Sequence, residues 1–200
     1  MTYKFKFTPF IIGIFLTMAT FAQKSTVKDY LGVAGPIAFD KGSYNLAWTS
    51  HPTDNYYKQE YLSKGEKLEK FKRLILFEVL VADKTLQDIV GAKIAELNNI
   101  KATNPLAQYQ VFKKTNEIML DFLVSENTPD GKSVSIIERN VYRYKIVTVA
   151  KGHKAILLFG VSDRAYGNDV DNFLVKLKAK ANDLRNAVGT FNIPAISIAK

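Results

Sequence analysis

Apolar and polar residues alternate with a period of two in several parts of the chain, which is the pattern of half-buried β-strands. Short β-branched and aromatic runs between turn residues predict further strands. The predicted strands cover residues 36–40, 43–50, 56–62, 75–83, 107–114, 117–126, 133–150 and 154–163. Short turns join the last four, so we expect an antiparallel meander there. The alternation changes phase at residues 138–140, which predicts a β-bulge or a bend.

A spacing of three to four residues between apolar positions predicts helices in three segments. Residues 63–74 are expected to form one or two helical turns, and residues 85–102 a longer helix with Thr85 as its N-cap. Residues 169–188 carry a second apolar stripe that ends at Gly189. Four cations lie off that stripe: Lys176, Lys178, Lys180 and Arg185.

This order of elements predicts a protein of the α+β class, an antiparallel β-sheet packed with two main α-helices. The segment "YYKQEYLSKGEKLEKF", followed by "ILFEVLV" and a long helix, resembles the Mog1/PsbP-like superfamily and its exported DcrB-like bacterial members. The resemblance covers most of the chain and implies an α/β sandwich. Members of the superfamily are largely non-enzymatic binding or assembly-accessory proteins, so it implies a class of function without a ligand.

The first residues have the three-part layout of a secretory signal peptide. Lys4 and Lys6 precede an apolar run, and small residues at 20 and 22 mark a cleavage site. We therefore expect a signal peptide at 1–22, an N-terminal arm at 23–35, a single α+β domain at 36–190 and a C-terminal tail at 191–200. The expected location is periplasmic or secreted, with no transmembrane anchor after cleavage. The chain has no cysteine, which excludes lipid modification at an N-terminal cysteine and thiolate chemistry.

The formal charge of the whole chain is +9, and it falls to +7 when residues 1–22 are removed with their two lysines. A basic exported domain can associate with an anionic surface or an acidic envelope protein. A lysine-rich, solvated surface explains the same charge without a partner.

Little in the sequence indicates catalysis. His51 and His153 fall in predicted turns without a second ligand at helical or strand spacing, so neither a metal site nor a cofactor is expected. Three acidic residues, Glu60, Glu78 and Asp121, lie on predicted strands and are possible inward-facing acids, but the sequence alone does not place any two of them together. The sequence therefore predicts no catalytic residues.

The strand "ERNVYRYKIVTVAKG" combines cations with tyrosines. Alternation places Arg139, Arg143 and Lys145 on one face, and Tyr142 and Tyr144 on the other. Nucleic-acid binding is not expected, because a single-strand platform needs aromatic and basic side chains on the same face. The pattern favours a basic row in solvent beside a core-facing tyrosine row. The alternative is that the basic row binds an anion or an acidic partner.

A second candidate surface consists of Trp48 and Tyr57 on the early strands, because aromatic residues with a polar tip are common in recognition surfaces. The sequence thus predicts an exported, non-catalytic binding or envelope-accessory protein. The alternative is a carrier of a small apolar ligand, in a pocket between sheet and helices lined by Trp48, Phe112 and Tyr144. A hydrolase is the third hypothesis.

Overall fold

The alternating segments pair into one antiparallel sheet of eight strands. The computed structural model describes residues 27–149 and 152–198, so the predicted signal peptide lies outside the described residues. The strands are β1 (Ile37–Phe39), β2 (Gly42–Thr53), β3 (Tyr56–Ser63), β4 (Arg73–Leu80), β5 (Gln108–Lys114), β6 (Glu117–Asn127), β7 (Val134–Thr148) and β8 (Lys154–Tyr166). Their order across the sheet is β1-β2-β3-β4-β8-β7-β6-β5. The predicted meander of the last four strands is confirmed.

Three helices cover the two faces of the sheet. Helix α1 (Leu86–Lys101) packs over β5, β6 and β7 on the first face, which we call the α1 face. Helices α2 (Val170–Ala179) and α3 (Ala181–Thr190) pack on the opposite face, the α2–α3 face. The predicted α+β class with an antiparallel sheet is confirmed. The finer assignment to a Mog1/PsbP-like sandwich stays a prediction.

Helix α1 begins where its sequence indicates. The side chain of Thr85 accepts a hydrogen bond from the backbone N–H of Asp88, and the Asp88 carboxylate accepts one from the backbone of Thr85. This reciprocal capping box satisfies two backbone donors that have no partner within the helix. Leu86, Val90 and Leu97 form its buried stripe.

The predicted helix at residues 169–188 consists of two helices, α2 and α3. The expected number of two main helices is therefore wrong, because the described residues form three. The break lies at Lys180, whose φ of −127° and ψ of 30° are outside the helical range. The sequence has no proline or glycine at this point. The apolar spacing is continuous because both helices pack on the same face of the sheet, and periodicity alone therefore does not reveal the break.

The predicted helical turns at residues 63–74 are wrong. Gly65 adopts a φ of +88°, which a right-handed helix does not allow, and Lys67 and Lys70 form an isolated β-bridge. Leu68 and Phe71 nevertheless pack against the α1 face, so the apolar spacing identified the buried residues but not their backbone.

The predicted bulge at residues 138–140 is also wrong, because β7 keeps one register with β8 from Ile136 to Thr148. The register shift in β7 concerns its other neighbour, β6, and falls between Glu126 and Asn127 of that strand. Residues on both faces of β7 are buried, so the change of phase in the sequence reflects two covered faces and not an extra residue.

The arm and the tail lie on the α2–α3 face. Gln59, which is fully buried on β3, accepts hydrogen bonds from the backbone N–H groups of Tyr30 (2.6 Å) and Leu31 (3.0 Å). The backbone of Ser197 in the tail donates to the carbonyl of Leu31. Residues 191–198 form no strand, and the Phe191 ring stacks on Phe159 at a centroid distance of 4.4 Å. One buried amide thus holds the arm, and the tail crosses over it.

We expect the substitution Gln59→Leu to lower the free energy of unfolding by about 1–3 kcal/mol, because it leaves the backbone N–H of Tyr30 without its acceptor, whereas that of Leu31 keeps Asp29 as an acceptor. Urea denaturation measures this loss, and faster amide exchange at Leu31 would locate it. Gln87→Leu on the exposed side of α1 is the matched control, for which no comparable loss is expected. Equal stability of the two variants would show that Gln59 does not hold the arm.

Candidate functional site

Two neighbouring cavities lie between the sheet and helices α2 and α3. The first, of about 210 Å³, lies between β5, β6 and the start of α3. The second, of about 440 Å³, lies between β4, β8 and helix α2. They share Arg139 and Leu177, and we refer to them together as the interlayer cleft. The larger cavity is within the range of about 300–1,000 Å³ that small-molecule sites occupy.

Arg139 is the residue that both cavities share on the sheet side. It is 4% exposed, so the predicted row of cations in solvent is wrong at this position. Its Nε and Nη2 atoms donate to the carboxylate of Asp121 at 3.0 and 2.8 Å, and Nη2 also donates to the carbonyl of Ala181 at 2.6 Å. Among the described residues, Nη1 has no hydrogen-bond partner. Arg139 therefore holds the α2–α3 junction and keeps one nitrogen free to donate.

Arg73 forms the opposite side of the cleft. It makes a two-pronged contact with Asp163, with distances of 2.5 and 2.8 Å, and a third contact with Asp40 at 2.7 Å. Burial alone would lower the pKa of Arg73, but the hydrogen bonds and charges of these two carboxylates outweigh it and raise that pKa. Arg73 is therefore a fixed cation at every relevant pH.

The charge of the cleft is unbalanced. Among the described residues that line it, six are cationic and four are acidic. Lys176 on α2 and Lys180 at the break between α2 and α3 are exposed at its rim. Its apolar wall consists of Phe173, Leu177 and Leu184. A cavity with a positive excess and an apolar wall suits an anion that also carries hydrocarbon.

The other two residues of the predicted basic row lie outside the two cavities. Arg143 donates from Nε and Nη2 to Glu117 at 2.9 Å each, and Nη1 donates to the backbone carbonyl of Phe191 at 3.0 Å. The hydrogen bonds from Arg143 hold the pKa of Glu117 below its usual value. Lys145 also approaches Glu117, at 3.4 Å, and its side chain is 43% exposed. Arg143 joins the end of α3 to the sheet, and the proposed binding role of these two residues stays a prediction.

The structure does not bring the predicted aromatic residues together. Trp48 is 38% exposed on the α1 face, whereas Tyr57 is buried on the α2–α3 face, where it stacks on His51 at 4.1 Å. The predicted apolar pocket is also wrong in its lining. Phe112 lies near the far edge of the sheet at 41% exposure, and Tyr144 is buried beneath α1. The cavity between sheet and helices is thus lined by other residues.

The two histidines and the three acidic residues of the predicted strands do not form one cluster. His51 contacts a backbone carbonyl, that of Tyr56 at 3.0 Å, and His153 is exposed. Glu60 and Glu78 approach one another around Lys58, whose Nζ lies 2.9 and 3.7 Å from their carboxylates. Asp121 is on the opposite face of the sheet. Within residues 27–149 and 152–198 no group of three or more acidic or histidine side chains is arranged to hold a metal ion.

A protein-family model matches residues 31–193, a span that contains every strand and helix described above. The chain belongs to that family. A search of curated proteins found no match.

One matching solved structure is described as the crystal structure of LpqN, involved in cell envelope biogenesis of Mycobacterium tuberculosis. It is 13% identical, and the match covers 74% of this chain and 82% of LpqN with a TM-score of 0.30. In the part of the chain that the structure describes, no helix is long and apolar enough to cross a membrane.

Sequence reasoning missed most of the cleft. Arg73 follows a lysine-rich segment, so nothing in the sequence distinguishes it from the neighbouring surface cations. Asp163 was predicted only as the last residue of a strand. Lys176, Lys180 and Arg185 were visible as cations off the apolar stripe of the last helix. That position is typical of any solvated helix surface, so it does not distinguish the rim of a cavity.

Proposed function

We propose that the chain is an exported, non-catalytic binding protein with a Mog1/PsbP-like fold, and that its ligand is a small anion with an apolar part. The observation that carries the proposal is the Nη1 atom of Arg139, which has no hydrogen-bond partner among the described residues and belongs to a side chain that lines both cavities of the cleft. The signal-peptide pattern of residues 1–22 supports export to the cell envelope.

The cleft favours an anionic head group over a neutral one. A guanidinium that is already fixed by Asp121 and by the α2–α3 junction loses little side-chain freedom when it binds a carboxylate or phosphate. Lys176 and Lys180 add positive charge at the entrance, which raises the rate of encounter with anions.

A carrier of small apolar ligands is the second candidate. Phe173, Leu177 and Leu184 favour it, because together they give the larger cavity an apolar wall. An amphiphilic ligand would satisfy both candidate functions. Whether binding requires a charged head group distinguishes between them. An envelope protein with an acidic segment is a further partner that the same cations would accept.

The proposal is tested by calorimetric titration of the mature chain with decyl phosphate and with decanol, which share a hydrocarbon tail. We expect decyl phosphate to bind and decanol to bind at least about tenfold more weakly, the effect of one hydrogen bond to a charged group. Arg139→Lys keeps the charge but removes Nη1, and a loss of decyl phosphate affinity of about tenfold or more is expected.

Lys176→Gln with Lys180→Gln provides a second variant, because both lysines are exposed and we expect their replacement to leave the fold intact. It should weaken decyl phosphate binding more at low salt than at high salt. The matched control replaces the exposed Lys113 and Lys114 of β5 by glutamine. Equal binding of the two probes would favour the apolar carrier, and no binding of either would refute a ligand in the cleft.

A further inference from the structure

A separate polar cavity lies on the other face of the sheet, where no residue of α1 lines it. Its volume is about 240 Å³, and it is walled by Leu68 and Phe71 of the loop before β4 and by Leu74 and Leu76 of β4. This is below the range of about 300–1,000 Å³ typical of drug-sized ligands, so the cavity suits one small ring. We call it the β3–β8 cavity.

The floor of the cavity depends on one glycine. Gly160 on β8 pairs with Leu76 on one side and Tyr142 on the other. A Cβ atom at position 160 would lie 2.9 Å from Cδ1 of Tyr142, closer than real Cβ contacts allow. Glycine at position 160 therefore makes room for the Tyr142 ring, which lines the cavity.

Four charged side chains line the β3–β8 cavity, and they balance. Glu60 pairs with Lys58 at 2.9 Å, and Glu138 accepts a hydrogen bond from Nε of Arg164 at 2.5 Å. A free anion would face two carboxylates, and a free cation would face two cations. A zwitterion would need unpaired charges of both signs. The charge pattern thus favours a neutral ligand with hydrogen-bonding groups.

The polar groups of this cavity are fixed in position. Ser162 and Asn140 are buried, and the Ser162 hydroxyl donates to Oδ1 of Asn140. Nδ2 of Asn140 in turn donates to Glu138 at 3.0 Å. Burial, and next the charge of Glu138, raise the pKa of Tyr142, so its hydroxyl stays protonated.

A carboxylate oxygen of Glu60 and the indole ring of Trp48 lie beside these hydrogen-bonded residues. Oε2 of Glu60 accepts no hydrogen bond from the described residues. Trp48 pairs in register with Glu60, is 38% exposed, and lies with its ring centroid 5.8 Å from Nζ of Lys58. A sugar ring has hydroxyl groups that donate and accept, and a C–H face that packs on an indole.

We infer that the β3–β8 cavity binds a neutral sugar residue, with Trp48 as the stacking surface and Glu60, Glu138 and Arg164 as partners of its hydroxyl groups. This site is separate from the interlayer cleft and lies on the opposite face of the sheet. Failure of either binding proposal leaves the other standing.

Trp48 is the single tryptophan of the chain, so its fluorescence reports on this site alone. The experiment titrates the mature protein with maltose and with N,N′-diacetylchitobiose, two neutral disaccharides, and with glycine betaine as a zwitterion. We expect a saturable change in Trp48 emission with at least one disaccharide and none with glycine betaine.

Glu60→Gln keeps the shape of the side chain but removes its charge, and it should weaken disaccharide binding about tenfold. Tyr142→Phe removes only a hydroxyl group and should also weaken it. Glu69→Gln, an exposed glutamate on the neighbouring loop and outside the cavity, is the control and should bind as the unmodified chain does.

Thermal unfolding followed by circular dichroism establishes that each variant is folded. The proposal is overturned if neither disaccharide gives a saturable change with folded protein, if glycine betaine gives an equal one, or if Glu60→Gln leaves the affinity unchanged.

Discussion

Replacing Arg139 by methionine is expected to lower the free energy of unfolding by about 3–5 kcal/mol, the usual cost of removing one partner from a buried ion pair. The substitution leaves the Asp121 carboxylate, whose side chain is 12% exposed, beneath the α2–α3 layer without its main cation. Arg185, at 3.7 Å from Asp121, compensates only in part. The carbonyl of Ala181 loses its donor as well. Equilibrium urea denaturation measures the loss.

The double variant Arg139→Met with Asp121→Leu distinguishes a charge effect from a packing effect. It removes both members of the pair, so we expect it to recover most of the stability that the single variant loses. Lys145→Met is the matched control, because the Lys145 side chain is 43% exposed and a solvent-accessible pair contributes about 0–1 kcal/mol. If the double variant were no more stable than the single one, the uncompensated carboxylate would not be the cause.

The strands and helix α1 were predictable because their signals are local. Alternation identified β3 within one residue at its end, and the pair Thr85 and Asp88 identified the start of α1. The hairpin that joins β6 and β7 follows from "PDG", in which Gly131 adopts a φ of +72°. In each case the residues that determine the conformation are within a few positions of one another.

The break at Lys180 and the loop before β4 were not predictable because contacts from distant parts of the chain determine them. Arg139 donates to Ala181 across 42 residues of sequence. The backbone of Phe71 both donates to and accepts from the hydroxyl of Tyr166, which lies 95 residues away. Apolar periodicity records which side chains are buried, but these long-range hydrogen bonds decide the backbone path.

The candidate sites were only partly predictable for the same reason. The sequence correctly separated Arg139 and Arg143 from Tyr142 and Tyr144, because alternation within one strand fixes the face. It failed for Trp48 and Tyr57, because a register shift between Leu46 and Trp48 places that indole on the opposite face from Leu46. It also failed for the exposure of Arg139, since the helix that covers this residue begins some 30 positions later in the chain.

The second large effect is expected in the apolar core of the α2–α3 face, which is centred on Phe159. Its side chain is fully buried, and its ring centroid lies 4.4 Å from Phe191, 5.2 Å from Phe77 and 5.9 Å from Phe39. We expect Phe159→Ala to lower the free energy of unfolding by about 3–5 kcal/mol, the range for removing a buried phenylalanine from a close-packed core.

Phe112→Ala makes the same chemical change on an exposed residue of β5, where the ring contacts the Arg185 guanidinium at 5.0 Å. The expected loss is about 0.5–1 kcal/mol, that of an exposed cation–π contact. Phe159→Ala also removes the ring on which Phe191 stacks. Amide hydrogen exchange should therefore become faster in residues 191–198. Equal losses for the two alanine variants would contradict a core centred on Phe159, and protection of the tail in Phe159→Ala would show that Phe191 is held by other contacts.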